Sequence, residues 1–554
     1  MKKVRRIALL AAGCLSLTAT WAGGSKEAAG EAKDAAGAPT KPVRNVIILI
    51  PDGMSVAGTT LARFYAGSPL ALDDLACGLV STWSSDGTIA DSAPAGSAFA
   101  TGWKSQTGNI ASSGKTYSMP GAGDPDPLVA GRPLATLMEG ARLSGRATGI
   151  VSTSEFMHAT PADFASHDPS RKNYDNLTEQ IVWNRLDVVL GGGTPYLSAS
   201  ARKDGEDMMA ALKALGYSYA GNTAELKAFQ GAKLFGTFGK TPEATAMSYD
   251  LDRDPAAEPS LQEMTAKAIE VLSKNPAGFC LMVEGSKVDW AAHANDPVGF
   301  VTDVVAFDKA VKAALDFAST RNDTVVIAAS DHGNSGVSIG DRSISSGYDK
   351  TPWTAFVNPL KAASVTGEGL EAFLPPASSP EAIRQTVAQK LGITDLSDEE
   401  VAAIRNYSKG SLNYVVGPMV GARAKIGYTT GGHTGEDVVL YAFDPRGARP
   451  TGLVDNTEIG KYLAESMGLD LNAATDRLFT DAKELAAQVG ATLSQDDSDA
   501  ENPVLVATKG SHTLRIARNK SLATLDGKDI QADGVAVMSG NTWYVSKNLF
   551  DAMK

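Results

Sequence analysis

Three apolar runs set the pattern of the chain: VIILIPDG (46–53), GFCLMVEGSKVDW (278–290) and VVIAASDHG (325–333). Each is continuous rather than alternating, as a strand buried on both faces of a parallel sheet requires, and each runs into acidic residues at its end. Helical periodicity separates them. Ser260 and Glu263 form a capping box, after which Leu261, Met264, Ala268, Ile269 and Leu272 recur at helical spacing. The alternation predicts an α/β fold with a mostly parallel central sheet flanked by helices. In open sheets of this kind ligands bind beyond the carboxyl ends of the strands, which is where Asp52, Glu284, Asp289, Asp331 and His332 fall.

The pattern changes twice toward the C-terminus. Residues 333–430 are poor in strand signals and carry helix starts at Ser379-Pro380 and after Ser397, which predicts an insertion lying over the strand ends. Residues 491–502 (ATLSQDDSDAEN) read as an acidic linker between a main unit (43–490) and a small, mainly β unit (503–554) with turns at Asp526-Gly527 and Ser539-Gly540-Asn541. At the other end, Lys2, Lys3, Arg5 and Arg6 precede a short apolar stretch, the form of an export signal. Two cleavage readings compete: one after Ala22, the other before Cys14, which would make a lipid-anchored protein. The low-complexity segment 23–42 suits a tether, and a plain flexible terminus is the alternative.

Charge narrows the function. A net charge of -12 with no basic run beyond residue 6 excludes a nucleic-acid-binding surface. Beyond the signal only Cys77 and Cys280 remain, so no disulfide framework is present, and Cys280 lies in a core run.

The candidate chemistry begins at DSAPAGSAFATGWKSQTG (91–108), where Ser92 stands beside Asp91 at the start of an Ala-rich helix, with Pro94 suited to its first turn and Gly102 to its end. Read alone, this is either an N-cap or an anion site at a helix N-terminus. Of six histidines in the chain, three sit in ligand-like contexts: Asp289-x3-His293, Asp331-His332 and Gly432-His433-Thr434-Gly435. Four residues apart on a helix, Asp289 and His293 face the same way, and a further His completes a nitrogen-and-oxygen site of the kind zinc takes. His167 and His512 fit no such set and read as structural and surface residues.

With these blocks in order (IPDGMS, DSAPAGSAFATG, STSEFMHATPADFASHDPSR, MVEGSKVDWAAHAND, ASDHG and TTGGHTGEDV), residues 43–485 resemble the alkaline phosphatases. The resemblance implies an exported phosphomonoesterase, periplasmic or at the cell surface, that releases inorganic phosphate from small phosphate monoesters. It implies two zinc ions and one magnesium ion. Asp289, His293 and His433 match the first zinc site; Asp52, Asp331 and His332, completed by Ser92, match the second; Asp52, Thr160 and Glu284 match the magnesium site. Ser92 would be the nucleophile of a phosphoseryl intermediate, Arg171 would bind the phosphoryl oxygens, and Asp91 would orient Arg171. His158 and Trp290 stand where relatives differ, beside the ligands rather than among them. Relatives are commonly homodimers, and the insertion has a crown-like place in the fold. A sulfatase would need a C/S-x-P-x-R motif, and Ser92 is followed by Ala93-Pro94-Ala95-Gly96. A diesterase tends to lack the third metal site, and a surface-binding protein with a dead catalytic unit would not keep the ligand set. The C-terminal unit weakly resembles the small N-terminal-like domain of copper amine oxidases, but with only His512 it implies no copper.

Overall fold

A computed structural model describes residues 42–126 and 130–554; the expected signal (1–22), Cys14 and all of the 23–42 tether except Pro42 lie outside the described residues. The apolar runs form the centre of a ten-stranded sheet. Its strands are β1 (Asn45–Ile50), β2 (Ala76–Ser81), β3 (Ala147–Glu155), β4 (Val188–Gly192), β5 (Ser218–Ala220), β6 (Leu234–Thr237), β7 (Phe279–Glu284) and β8 (Thr324–Ala329), followed by Val438–Phe443 and Gly452–Asp455. Across the sheet the order is Gly452–Asp455, β2, Val438–Phe443, β8, β1, β7, β3, β4, β6, β5. All pairings are parallel except those of Val438–Phe443, which runs antiparallel to both β2 and β8.

Every residue of β1, β7 and β8 is buried, because each strand feeds two cores. Ile47 and Leu49 enter one apolar layer with Leu281, Val283 and Val326; Val46, Ile48 and Ile50 enter the other with Cys280, Met282 and Ile327. Helices cover both faces, giving the three-layer α/β arrangement that the continuous runs predict. The long helix Pro297–Ala318 and the helix Leu261–Leu272, which starts at the expected Ser260/Glu263 capping box, lie over the first layer. Helix α2 (Ser92–Thr101) and the helix Ala159–Ala165 lie over the second.

The 333–430 region is largely helical, with helices Thr354–Ala362, Pro380–Leu391, Asp398–Arg405 and Leu412–Arg423. Its two ends are tied together where His433 and Thr434 pair antiparallel with Asn334 and Gly333. That small ribbon carries His433 back beside His332 across about 100 residues of chain.

The expected 491–502 linker is corrected in part. Thr492–Asp496 is a strand, paired with Val504–Lys509 at the edge of a five-stranded antiparallel sheet. Its acidic and hydroxylated side chains belong to an edge strand facing solvent, where alternation is masked and composition looks like a linker. The helix Ala482–Val489 also packs into the C-terminal core through Ala482, Leu485 and Ala486. The C-terminal unit is docked on the main one. Leu478, Phe479, Val535 and Val537 cluster with Ala135, while Asn519 bonds Asn176, Glu179 and Gln180 of the helix Tyr174–Trp183. Among the described residues no helix is long and apolar enough to cross a membrane.

Candidate active site

Ser92 opens α2, a fully buried helix whose small residues allow close packing; a Cβ on Gly96 would stand 2.4 Å from Asp163 Oδ2. Gly102 ends the helix in the left-handed conformation, as its position in the sequence predicts. The capping reading of Asp91 does not hold. Asp91 occupies the N-cap position, yet its side chain makes no cap hydrogen bond. It accepts instead from the Gly108 amide at 3.1 Å and from Arg171 Nη1. The N-terminal amides of α2 are thereby left to another acceptor, the condition for an anion site.

The Ser92 Oγ lies 3.2 Å from His332 Nε2. His332, His293 and His433 share one design: their Nδ1 atoms face the carbonyls of Gly333 (3.2 Å), Gly431 (2.8 Å) and Ala90 (2.8 Å). A carbonyl only accepts, so each Nδ1 carries the proton and each Nε2 is free to offer a lone pair. The Nε2 atoms of His293 and His433 are 3.2 Å apart, too close for both to be N–H groups. The rings of His332 and His433 stack with centroids 3.6 Å apart, a geometry for neutral imidazoles. Asp289 sits between them, its carboxylate 3.3 Å from His293 Nε2 and 3.6 Å from His433 Nε2. Asn334 donates to Asp289 Oδ1 at 2.6 Å and fixes its orientation. Gly53 makes this approach feasible: its φ is +66°, and a Cβ there would lie 2.5 Å from Asp289 Oδ1.

Carboxylates complete the rim at the strand ends. Asp52 follows β1, Glu284 ends β7, and Asp331 follows β8. His332 Nε2 is 3.5 Å from Asp52 Oδ1 and 3.3 Å from Asp331 Oδ2. Both oxygens of Asp52, Oδ2 of Asp331, Oε1 of Glu284 and Oγ1 of Thr160 are buried with no hydrogen-bond partner among the described residues. Such orphaned polar atoms are costly, and several together demand a cation. The strain shows in their protonation. Burial, then the charges of Asp289, Asp331 and Glu284, push Asp52 well above the usual carboxylate range, and burial pushes Glu284 up to about 8. For Asp289 burial works the same way, but the facing histidines outweigh it and hold its carboxyl below its ordinary value.

Three groups place ligand atoms within 4.8 Å of one another: Asp289, His293 and His433; Asp52, Asp289 and His332; and Asp52, His158 and Glu284. Asp289 therefore reaches two of the groups, which its sequence position alone does not reveal. His158, expected beside the ligands, brings a ring nitrogen within reach of Asp52 and Glu284. Its Nε2 also accepts from Arg171 Nη2 at 3.1 Å. Arg171 is thus held from both sides, by Asp91 and by His158. Burial, reinforced by the Arg171 charge, lowers His158 to about 3, so it is neutral at physiological pH. His167, expected to be structural, is buried between the Ala111 carbonyl (3.1 Å) and Glu139 (3.0 Å), away from the rim. His512 is exposed and pairs with Asp526 at 2.6 Å.

The rim opens into a cavity of about 520 Å³ that Ser92, Asp91, Arg171 and His158 share with a second wall. That wall is formed by Tyr249, Trp290, Glu368, Asn413 and Tyr414. Apart from Trp290, none of these belongs to a motif, and the long-range packing of the 333–430 region is what brings most of them here.

Residues 43–469 match the sequence profile of the family described as alkaline phosphatase. Alkaline phosphatase 3 of Bacillus subtilis is 33% identical over 446 residues, covering 77% of this chain and 89% of that protein. The repressible alkaline phosphatase of Saccharomyces cerevisiae is 31% identical, covering 80% and 86% of the two chains. Among solved structures, an alkaline phosphatase from Thermus thermophilus superposes with a TM-score of 0.68 at 28% identity, covering 78% of this chain and 92% of its own. One from a psychrophilic Shewanella species does so with a TM-score of 0.65 at 29% identity, covering 76% and 99%.

Proposed function

The chain belongs to the alkaline phosphatase family, whose members are phosphomonoesterases dependent on divalent metal ions, and from that premise we propose that Ser92 is its nucleophile. The observation that carries this reading is the contact of Ser92 with His332 Nε2 at the edge of a cluster of imidazoles with fixed tautomers and carboxylates with orphaned oxygens. We assign two zinc ions and one magnesium ion. Asp289, His293 and His433 would hold the first, Asp52, Asp331 and His332 with Ser92 the second, and Asp52, Thr160 and Glu284 the third. When bound, these ions supply the positive charge and Lewis acidity that let an alcohol act as a nucleophile near neutral pH.

The protein's own groups then have defined tasks. Arg171 presents a planar fork to two non-bridging phosphoryl oxygens, and Asp91 and His158 restrict its rotation. The amides opening α2 add donors to the same anion. Ser92 Oγ forms a bond to phosphorus as the bond to the leaving oxygen breaks, giving a phosphoserine and the free alcohol. Water then cleaves the phosphoserine, which releases inorganic phosphate and restores Ser92. The 3.2 Å contact of Ser92 with His332 also suggests a metal-free Ser-His pair, as in acyl transfer. The carboxylates around His332 Nε2 favour the ion-binding reading. We place the protein outside the cytoplasm, on the strength of the basic and apolar segment in residues 1–22.

The test is hydrolysis of p-nitrophenyl phosphate, its bis-ester and its sulfate, before and after chelation and after zinc and magnesium are restored. The monoester should be the best substrate, with chelation abolishing turnover and the metals restoring it. Turnover that survives complete metal removal would establish the Ser-His pair instead.

A further inference from the structure

The wall facing the rim has a composition that the phosphoryl chemistry does not use. Tyr414 is 54% exposed although it lines the cavity, and Trp290, next to Asp289 in the chain, lines it as well. Tyr414 thereby offers an aromatic face on which a ring can stack, beside the Trp290 indole, which packs against His158. Lys287, 2% exposed, holds its Nζ 3.9 Å from the Trp290 ring centroid and 4.8 Å from that of Tyr249. The cation seat of this aromatic group is therefore filled by the protein, which argues against an ammonium-bearing guest.

Polar groups complete the wall. Glu368 pairs with Lys287 at 3.8 Å through one oxygen while its side chain remains 47% exposed at the cavity. Asn413 is 7% exposed; its Oδ1 accepts from the Tyr414 amide at 3.0 Å, whereas its Nδ2 has no partner among the described residues. The Tyr249 hydroxyl is likewise buried without a partner among the described residues, and burial keeps it a neutral donor and acceptor. A donor, an acceptor and aromatic faces around one space, with a carboxylate that repels a further anion, match a hydroxylated ring and nothing more highly charged.

We propose that this wall is a leaving-group subsite selecting sugar monophosphates over esters whose leaving group carries a second anion. The proposal rests on the phosphomonoesterase reading of Ser92. The volume of about 520 Å³ holds both a phosphoryl group and a six-membered ring.

The test compares kcat/KM of the metal-loaded enzyme on glucose 6-phosphate, on cyclohexylmethyl phosphate, which has the same size and leaving oxygen but no hydroxyls, and on 6-phosphogluconate. Wild type should prefer glucose 6-phosphate over the cyclohexyl ester by about tenfold, the worth of one or two hydrogen bonds. Asn413→Ala should narrow that ratio by about fivefold. Glu368→Gln should raise 6-phosphogluconate relative to glucose 6-phosphate by about fivefold, through loss of one repulsive charge. Because Glu368 is half-exposed, this second variant keeps the test decisive if Asn413→Ala does not fold. Equal use of all three esters by wild type, or ratios unmoved in the variants, overturns the subsite while leaving the phosphatase standing. Failure to hydrolyse any of them overturns both.

Discussion

One cavity has two walls built on opposite principles. The rim at the carboxyl ends of β1, β7 and β8 has buried carboxylates and a buried His332 with the partly buried His293 and His433 at its mouth, and it is over-determined by backbone: each of these histidines has one nitrogen spoken for by a carbonyl. The facing wall, largely from the 333–430 region, is mixed: Tyr414 and Glu368 are about half-exposed, whereas Asn413 and Tyr249 are buried, and the region that carries most of it is helices and turns rather than sheet. The difference teaches where tolerance lies. Strand ends in a ten-stranded sheet cannot shift without breaking two cores, so the rim fixes chemistry; the wall can vary without moving Ser92, so it sets selectivity.

The comparison can be broken most severely at the rim. Ser92→Ala should lower kcat by at least about 10⁴-fold with the protein still folded, measured on p-nitrophenyl phosphate, since removing a covalent nucleophile disables the whole constellation. A loss under tenfold would mean that the rim does not depend on this hydroxyl. Next in size, Arg171→Lys should reduce kcat/KM by about a hundredfold, because an ammonium cannot make the bidentate contact that Asp91 and His158 pre-orient. If Lys serves equally well, the clamp on Arg171 has no catalytic meaning.

The wall should respond more mildly. Tyr414→Ala is expected to lower kcat/KM for ring-bearing esters by about threefold to tenfold, the range of one aromatic contact, and to leave kcat for methyl phosphate within about twofold. An equal fall on both substrates would erase the division between the walls.

The smallest effect lies outside both, where the C-terminal unit docks. Burial raises Glu179 to about 7, against the opposing pull of Lys520 and Asn519. A carboxyl whose folded value exceeds its unfolded one binds more protons when folded, so stability falls as pH rises from about 4.5 through 7. The change should be on the order of 1–3 kcal/mol. Glu179→Gln should remove that part of the pH dependence of thermal unfolding without altering kcat. A variant with the wild-type slope would show that Glu179 does not titrate there.

Legibility in the sequence follows the same division. The strands announce themselves because residues buried on both faces must be apolar throughout, and Asp52, Asp331 and His332, which we propose as ligands, stand just after such runs. Asp289 and His293 were legible through helical spacing. The pairing of Asp91 with Arg171 was expected only through the family resemblance; what sequence could not show is that Asp289 reaches two ligand groups, that His158 also holds Arg171, or that Asp91 forgoes its cap for the Gly108 amide. The partners are 13 residues apart for His158 and Arg171 and 17 for Asp91 and Gly108, beyond the reach of helical or strand spacing. Glu368, Asn413 and Tyr414 carry no motif at all, since their roles arise only from where the insertion folds. The strand Thr492–Asp496 was hidden by its polar side chains and the acidic run that follows it, because at an exposed sheet edge backbone pairing rather than burial defines the element.

The central claim is that Ser92 accepts the phosphoryl group, and the direct measurement is mass spectrometry of the acid-quenched enzyme during turnover. The metal-loaded protein should carry a single phosphate on the peptide containing Ser92, absent after chelation and in Ser92→Ala. Phosphate on any other residue, or continued turnover with no covalent phosphate under conditions where formation of the phosphoserine is faster than its hydrolysis, would contradict phosphoryl transfer to Ser92.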